Sequence, residues 1–169
     1  ELYRKDLKNG SDFVQINKGF DISADIVDTQ GDDLFIFTDK DAPNMRLVKV
    51  SIKNPSPENW KDVIPETENV LSVSEAGGYF FGKYMKDAIS LVKQFDKTGK
   101  MVREIALPGK GTVSGFGGKK EDKDIYYSFT NYITPGTIYK YNVASGKSEI
   151  YQKPKVKFSP ENYVSEQVF

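Results

Sequence analysis

Short runs of β-branched and aromatic residues, four to eight long, recur along the chain and are cut apart by glycine and proline. Leu34-Phe35-Ile36-Phe37-Thr38, Leu47-Val48-Lys49-Val50-Ser51-Ile52, Ile125-Tyr126-Tyr127-Ser128-Phe129 and Ile138-Tyr139-Lys140-Tyr141-Asn142-Val143 are the clearest. Several alternate apolar with polar residues, which predicts half-buried antiparallel strands. Between them lie Thr29-Gln30-Gly31-Asp32, Ala76-Gly77-Gly78, Asp96–Lys100 and Ala144-Ser145-Gly146-Lys147, each with a glycine able to take the positive φ of a tight hairpin turn. Seven of the prolines, from Pro55 to Pro160, fall between runs, where a missing N–H does least harm. No stretch shows a convincing amphipathic-helix period.

The runs group in fours. The first group is Ile22–Asp28, Asp33–Asp39, Arg46–Ile52 and Trp60–Glu66. The second is Val70–Glu75, Tyr79–Lys86, Ser90–Asp96 and Val102–Leu107. The third is Thr112–Gly118, Asp124–Asn131, Thr137–Val143 and Ser148–Lys153. A recurrence of roughly 40–50 residues is that of four-stranded propeller blades. The fourth run of each group carries a residue expected to be buried: Val63, Ile105 and Ile150. Two further runs, Leu2–Leu7 and Phe13–Asn17, precede the first group and read as the outer half of another blade. The predicted fold class is therefore all-β, with a partial blade over 1–18 and full blades over 20–66, 69–108 and 111–153. Residues 154–169 read as a linker followed by one more strand, Tyr163–Phe169. Periodicity alone leaves an ordinary β-sandwich equally open.

Composition narrows the chemistry. Of 169 residues, 38% are hydrophobic and 13% aromatic, enough for a packed core. Lysine plus arginine (24) equals aspartate plus glutamate (24), so net charge gives no reason to expect nucleic acid or an anionic membrane. No apolar run approaches the ~20 residues of a spanning helix. There is no cysteine and no histidine. Disulfides, thiol nucleophiles, Ser–His pairs and histidine metal ligands are all excluded within this chain. The chain opens Glu1-Leu2-Tyr3 without methionine or signal peptide, and so reads as a cut from a longer, soluble polypeptide, cytoplasmic or periplasmic.

The remaining candidates are poor. Ser90-Leu91-Val92-Lys93 has the Ser-x-x-Lys spacing but sits in a strand pattern, where positions three apart face opposite ways. The glycine-rich run Gly109–Gly118 precedes no helix that could cradle phosphate, and reads as a loop feeding an inner strand. Asp39, Asp41 and Asn44 hint at a calcium loop but lack its glycine and distal glutamate. Lys119–Asp124 mixes both charges, as a solvated hairpin tip does. Phe35, Phe37, Tyr126, Phe129, Tyr139 and Tyr141 recur at period two and are expected in the core rather than on a stacking surface. No cofactor or metal is expected.

Three stretches carry a family resemblance. Gly115–Tyr139, with Tyr126-Tyr127-Ser128-Phe129-Thr130 and then Thr134-Pro135-Gly136-Thr137-Ile138-Tyr139, resembles the last propeller blade of prolyl oligopeptidases. Phe37-Thr38-Asp39-Lys40-Asp41-Ala42-Pro43-Asn44-Met45-Arg46-Leu47 resembles a second stretch of that family. Tyr163–Phe169 resembles the strand that crosses from the propeller to the hydrolase domain. The resemblance implies a two-domain serine peptidase that cuts short peptides after proline. Its α/β-hydrolase domain would hold a Ser-Asp-His triad, and a seven-bladed propeller would cover the active site and limit substrate size. This chain would be the C-terminal half of that propeller, about three and a half blades, and inactive alone because the triad is absent. Its partners would be its own hydrolase domain and short proline-containing peptides. Two copies of such a half-ring would be expected to pair edge to edge.

One substrate-facing position of the family, on the acyl side of the scissile bond, aligns with Lys5. The mammalian-type enzymes carry an uncharged residue there, so Lys5 departs from the pattern. The alternative reading is a free-standing propeller-like module acting through protein contacts. A Gly-x-Ser-x-Gly elbow with later Asp and His beyond Phe169 would separate the two.

Overall fold

A computed structural model describes residues 1–8, 10–157 and 162–164. Among the described residues fourteen strands form four antiparallel sheets, and Pro57–Asn59 makes a short 3-10 turn. The first sheet pairs β1 (Leu2–Arg4) with β2 (Val14–Asn17). The second is a meander of β3 (Ala24–Gln30), β4 (Asp33–Thr38), β5 (Arg46–Ser51) and β6 (Lys61–Ile64). The third runs through β7 (Val70–Ala76), β8 (Tyr79–Lys86), β9 (Ile89–Phe95) and β10 (Met101–Glu104). The fourth runs through β11 (Thr112–Gly115), β12 (Asp124–Thr130), β13 (Thr137–Asn142) and β14 (Ser148–Gln152). In all three meanders each strand pairs with its neighbour in sequence. The chain divides into two compact units, residues 1–73 and 74–169, with the division inside β7.

In the first unit, Ile16 of β2 packs with Leu34, Ile36, Val48 and Val50, and Trp60 closes the cluster. The Trp60 indole N–H donates to the Pro55 carbonyl at 3.0 Å, so its polar edge is satisfied. Phe35 and Leu47 are buried on the opposite face of the same sheet. β4 is thus covered on both sides, which is why it reads as an unbroken apolar run instead of alternating. The loop from β4 to β5 is pinned to the connector that follows β6. Glu66 accepts the Asn44 backbone N–H at 2.6 Å, the Asn44 amide donates to the Thr67 carbonyl at 3.1 Å, and Leu71 N–H donates to the Asn44 carbonyl at 2.9 Å.

In the second unit the third and fourth sheets share one core, built from Phe81, Val92 and Ile105 on one side and Phe116, Ile125, Tyr127, Phe129, Tyr141 and Val143 on the other. Phe116 sits at its middle, with ring centroids 4.4 Å from Tyr127 and 5.7 Å from Phe81. It does so at a backbone φ of +65°, a conformation that costs a non-glycine residue free energy and that the packing must offset. A buried polar brace crosses the same core. Gln94, wholly inaccessible, donates to the Val143 carbonyl at 2.9 Å and accepts the Tyr141 hydroxyl at 2.7 Å. The β7–β8 hairpin turns on Gly77 and Gly78, both at positive φ, as a type I′ turn requires. A Cβ on Gly77 would stand 2.6 Å from the Asp122 carbonyl.

Several expectations shift. Val63 and Ile105 are buried, but Ile150 is 58% exposed. It lies on β14, an outer strand exposed at every position. Tyr126 is also exposed. Burial along β12 alternates, so that sheet is covered on one face only, and Tyr126 points from the uncovered face with its ring edge-on to Tyr151 at 4.9 Å. Phe35, Phe129 and Tyr141 are in the core as expected, and Phe37 and Tyr139 are half-buried. The last expected strand is absent at Tyr163 and Val164, which are exposed, and its remainder, 165–169, lies outside the described residues.

Candidate functional site

Lys5 follows β1 directly, one residue past the end of the strand. The β1–β2 register pairs Tyr3 with Gln15 and Arg4 with Val14, so continuing it sets Lys5 opposite Phe13. The Lys5 ammonium lies 5.1 Å from the centroid of the Phe13 ring. Both side chains are exposed, Phe13 by 68%. Among the described residues no carboxylate forms an ion pair with Lys5. Tyr3, two residues earlier on the strand, is exposed as well. The hairpin therefore offers a cation that the described residues leave without an ion pair, oriented by an aromatic face. Phe13 is the residue that sequence reasoning missed. The signal was the antiparallel register, which needs only the pairing of the two flanking runs.

The other candidates resolve into structure. Ser90 is buried and its hydroxyl accepts the Val113 N–H at 3.1 Å, while the Lys93 ammonium lies 5.3 Å from the Tyr84 ring centroid. The glycine run is followed by strand, not helix, and Gly118 N–H donates to the Glu75 carbonyl. Asp39 accepts the Ser23 N–H, Asp41 pairs with Lys40, and Asn44 pins the connector, so the three do not converge. The Lys40 ammonium, by its hydrogen bond and its charge, holds the Asp41 carboxyl below the usual carboxylate range. No group of three or more acidic residues among the described residues could hold a metal. The Lys119–Asp124 tip is tied by the Asp122 carboxylate, which accepts the Lys119 N–H at 2.7 Å. A shallow groove of ≈ 500 Å³ in the first unit is lined by Asp33, Lys49 and Trp60 among others. Its Lys49–Asp33 pair is already closed at 3.2 Å.

The sequence profile of the family described as "Prolyl oligopeptidase, N-terminal beta-propeller domain" matches residues 1–154. The chain belongs to this family. Prolyl endopeptidases of Elizabethkingia miricola and Elizabethkingia meningoseptica are 66% and 67% identical to it over its whole length. The prolyl endopeptidase of Dictyostelium discoideum is 27% identical over 85% of the chain. The chain spans 24% of the two Elizabethkingia proteins, about a quarter of their length. A chain from a structural study of two prolyl endopeptidases superposes on 99% of it with a TM-score of 0.88 and 38% identity, and this covers 25% of that longer chain. Apo prolyl oligopeptidase B of Galerina marginata shares the fold, with a TM-score of 0.77 at 19% identity. The three meanders are thus propeller sheets of the prolyl oligopeptidase family, and the sandwich alternative falls. No helix among the described residues is long and apolar enough to cross a membrane.

Proposed function

We propose that this chain is the C-terminal half of the propeller of a serine peptidase that cuts short peptides after proline. Its role there is non-catalytic: it covers the active site of an α/β-hydrolase domain in the same polypeptide and restricts access to small peptides. The carrying observation is full-length identity of 66–67% to prolyl endopeptidases in a chain without a single histidine. Such a chain can supply neither the general base nor the triad that acyl transfer from a peptide needs. Lys5 is proposed to stand beside substrate on the acyl side of the scissile bond, and its exposure and unneutralised charge support that role. Nothing in either unit carries the expected edge-to-edge pairing of two copies, and it forms no part of this reading.

The test is a comparison of the 169-residue chain with the full-length protein that contains it, on a Gly-Pro reporter amide. The full-length protein should turn over the reporter and be silenced by a serine-directed inhibitor, and the chain alone should not. Inhibitor-sensitive turnover by the purified chain, or none by the full-length protein, would remove the proposal.

A further inference from the structure

The ammonium of Lys5 has an aromatic ring beneath it and, among the described residues, no carboxylate in an ion pair with it. An exposed lysine with no partner samples many rotamers and presents no fixed charge. A ring at 5.1 Å changes this, because the negative face of the π-system holds the ammonium near one position without neutralising it. Such a site has a chemical preference: it favours an anion carried on a short aliphatic stem, which is a glutamate or aspartate side chain.

Given that Lys5 stands beside substrate as proposed above, we infer that Lys5, held in place by Phe13, makes the peptidase favour substrates with an acidic side chain N-terminal to the cleaved prolyl bond. Lys5 is the specificity residue. Phe13 is a positioning residue, which acts on substrate only through Lys5. The interaction is water-exposed and screened, so the preference is modest, about two- to five-fold in kcat/KM.

The experiment uses the full-length protein and matched reporter peptides with Glu, Gln or Lys at the first or second position before proline. The readout is the kcat/KM ratio of the Glu to the Gln peptide, taken within each protein, so that changes in overall rate cancel. The unmodified protein should give a ratio of about two to five at one of the two positions, with the Lys peptide below Gln. Raising ionic strength should bring the ratio toward one. Lys5→Met should set it to one, and Lys5→Glu should invert it. Phe13→Leu, which keeps apolar bulk and loses the π face, should give an intermediate ratio, and Phe13→Tyr should restore it. A ratio of one in the unmodified protein, or a preference that survives Lys5→Met, overturns the inference while cleavage after proline stands. Absence of any prolyl cleavage removes the placement of Lys5 and the inference with it. The salt dependence needs no variant, so a poorly folding substitution cannot protect the idea.

Discussion

Gln94 and Tyr141 form a brace whose parts should be worth less together than apart. Gln94→Leu keeps roughly the same bulk but takes the acceptor from the Tyr141 O–H, whose oxygen keeps its hydrogen bond from Arg103, and the side-chain donor from the Val143 carbonyl. Each unsatisfied group costs about 1–3 kcal/mol, so the variant should lose about 2–6 kcal/mol. Tyr141→Phe orphans one group, the Gln94 side-chain carbonyl, for about 1–3 kcal/mol. In the double variant only the Val143 carbonyl lacks its partner, again about 1–3 kcal/mol. The second substitution should therefore recover about 1–3 kcal/mol of what the first lost, and the double variant should fall short of the sum of the singles by about 2–6 kcal/mol. Global denaturation of a chain that divides into two compact units is not a clean two-state measurement. The suitable assay is native-state amide exchange on β9 and β13 within the full-length protein, where opening free energies are read strand by strand. If the double variant is as unstable as the sum of the two singles, the brace does not carry the energy assigned to it.

Two further predictions concern the second unit. Burial pushes the Tyr84, Tyr127, Tyr139 and Tyr141 hydroxyls above their ordinary range, and for Tyr141 a nearby Arg103 opposes the shift. The folded state then keeps protons that the unfolded chain releases, so stability should be full below about pH 10 and fall as pH rises above it. Exchange protection of β12 and β13 that stays flat through the tyrosinate absorbance titration would contradict this. The β7–β8 and β8–β9 turns supply a matched pair of backbone tests. Gly77→Ala meets both a positive φ and the Asp122 carbonyl, and should cost more than the roughly 1 kcal/mol of the φ term alone. Ala88→Gly relieves a φ of +59° and should stabilise by up to about 1 kcal/mol. Hairpin exchange rates moving the other way in either variant would refute the assignment.

Strand positions were legible because turn chemistry in this chain is explicit. Depth was less so. Phe80 and Phe81 are adjacent and both fully buried, and an unbroken apolar run on β8 announces a strand covered on two faces. The alternation on β12 announces one covered face, which is why Tyr126 should have been read as outside. Ile150 misled because it occupies the same fourth, edge strand as its counterpart Val63, and sheet order does not separate them: β6 buries Val63 and Ile64, whereas β14 is exposed at every position. Gln94 was invisible for the opposite reason, since a polar residue in a strand is normally assigned to solvent. Lys5 was found through family resemblance, whereas its ring partner follows from register alone.

The strict neighbour-to-neighbour order of the meanders bears on how the chain is made. Every strand pairing closes a loop between segments adjacent in sequence, so the entropic cost of each closure is small and the contacts are local. A sheet can zip as it leaves the ribosome, without waiting for distant sequence. Its faces are another matter. Phe81 on the third sheet finds Phe116 and Tyr141 only after the fourth has been synthesised, some tens of residues later. Between those moments a paired sheet stands with a bare aromatic face, and that interval is when the nascent chain has most need of a chaperone.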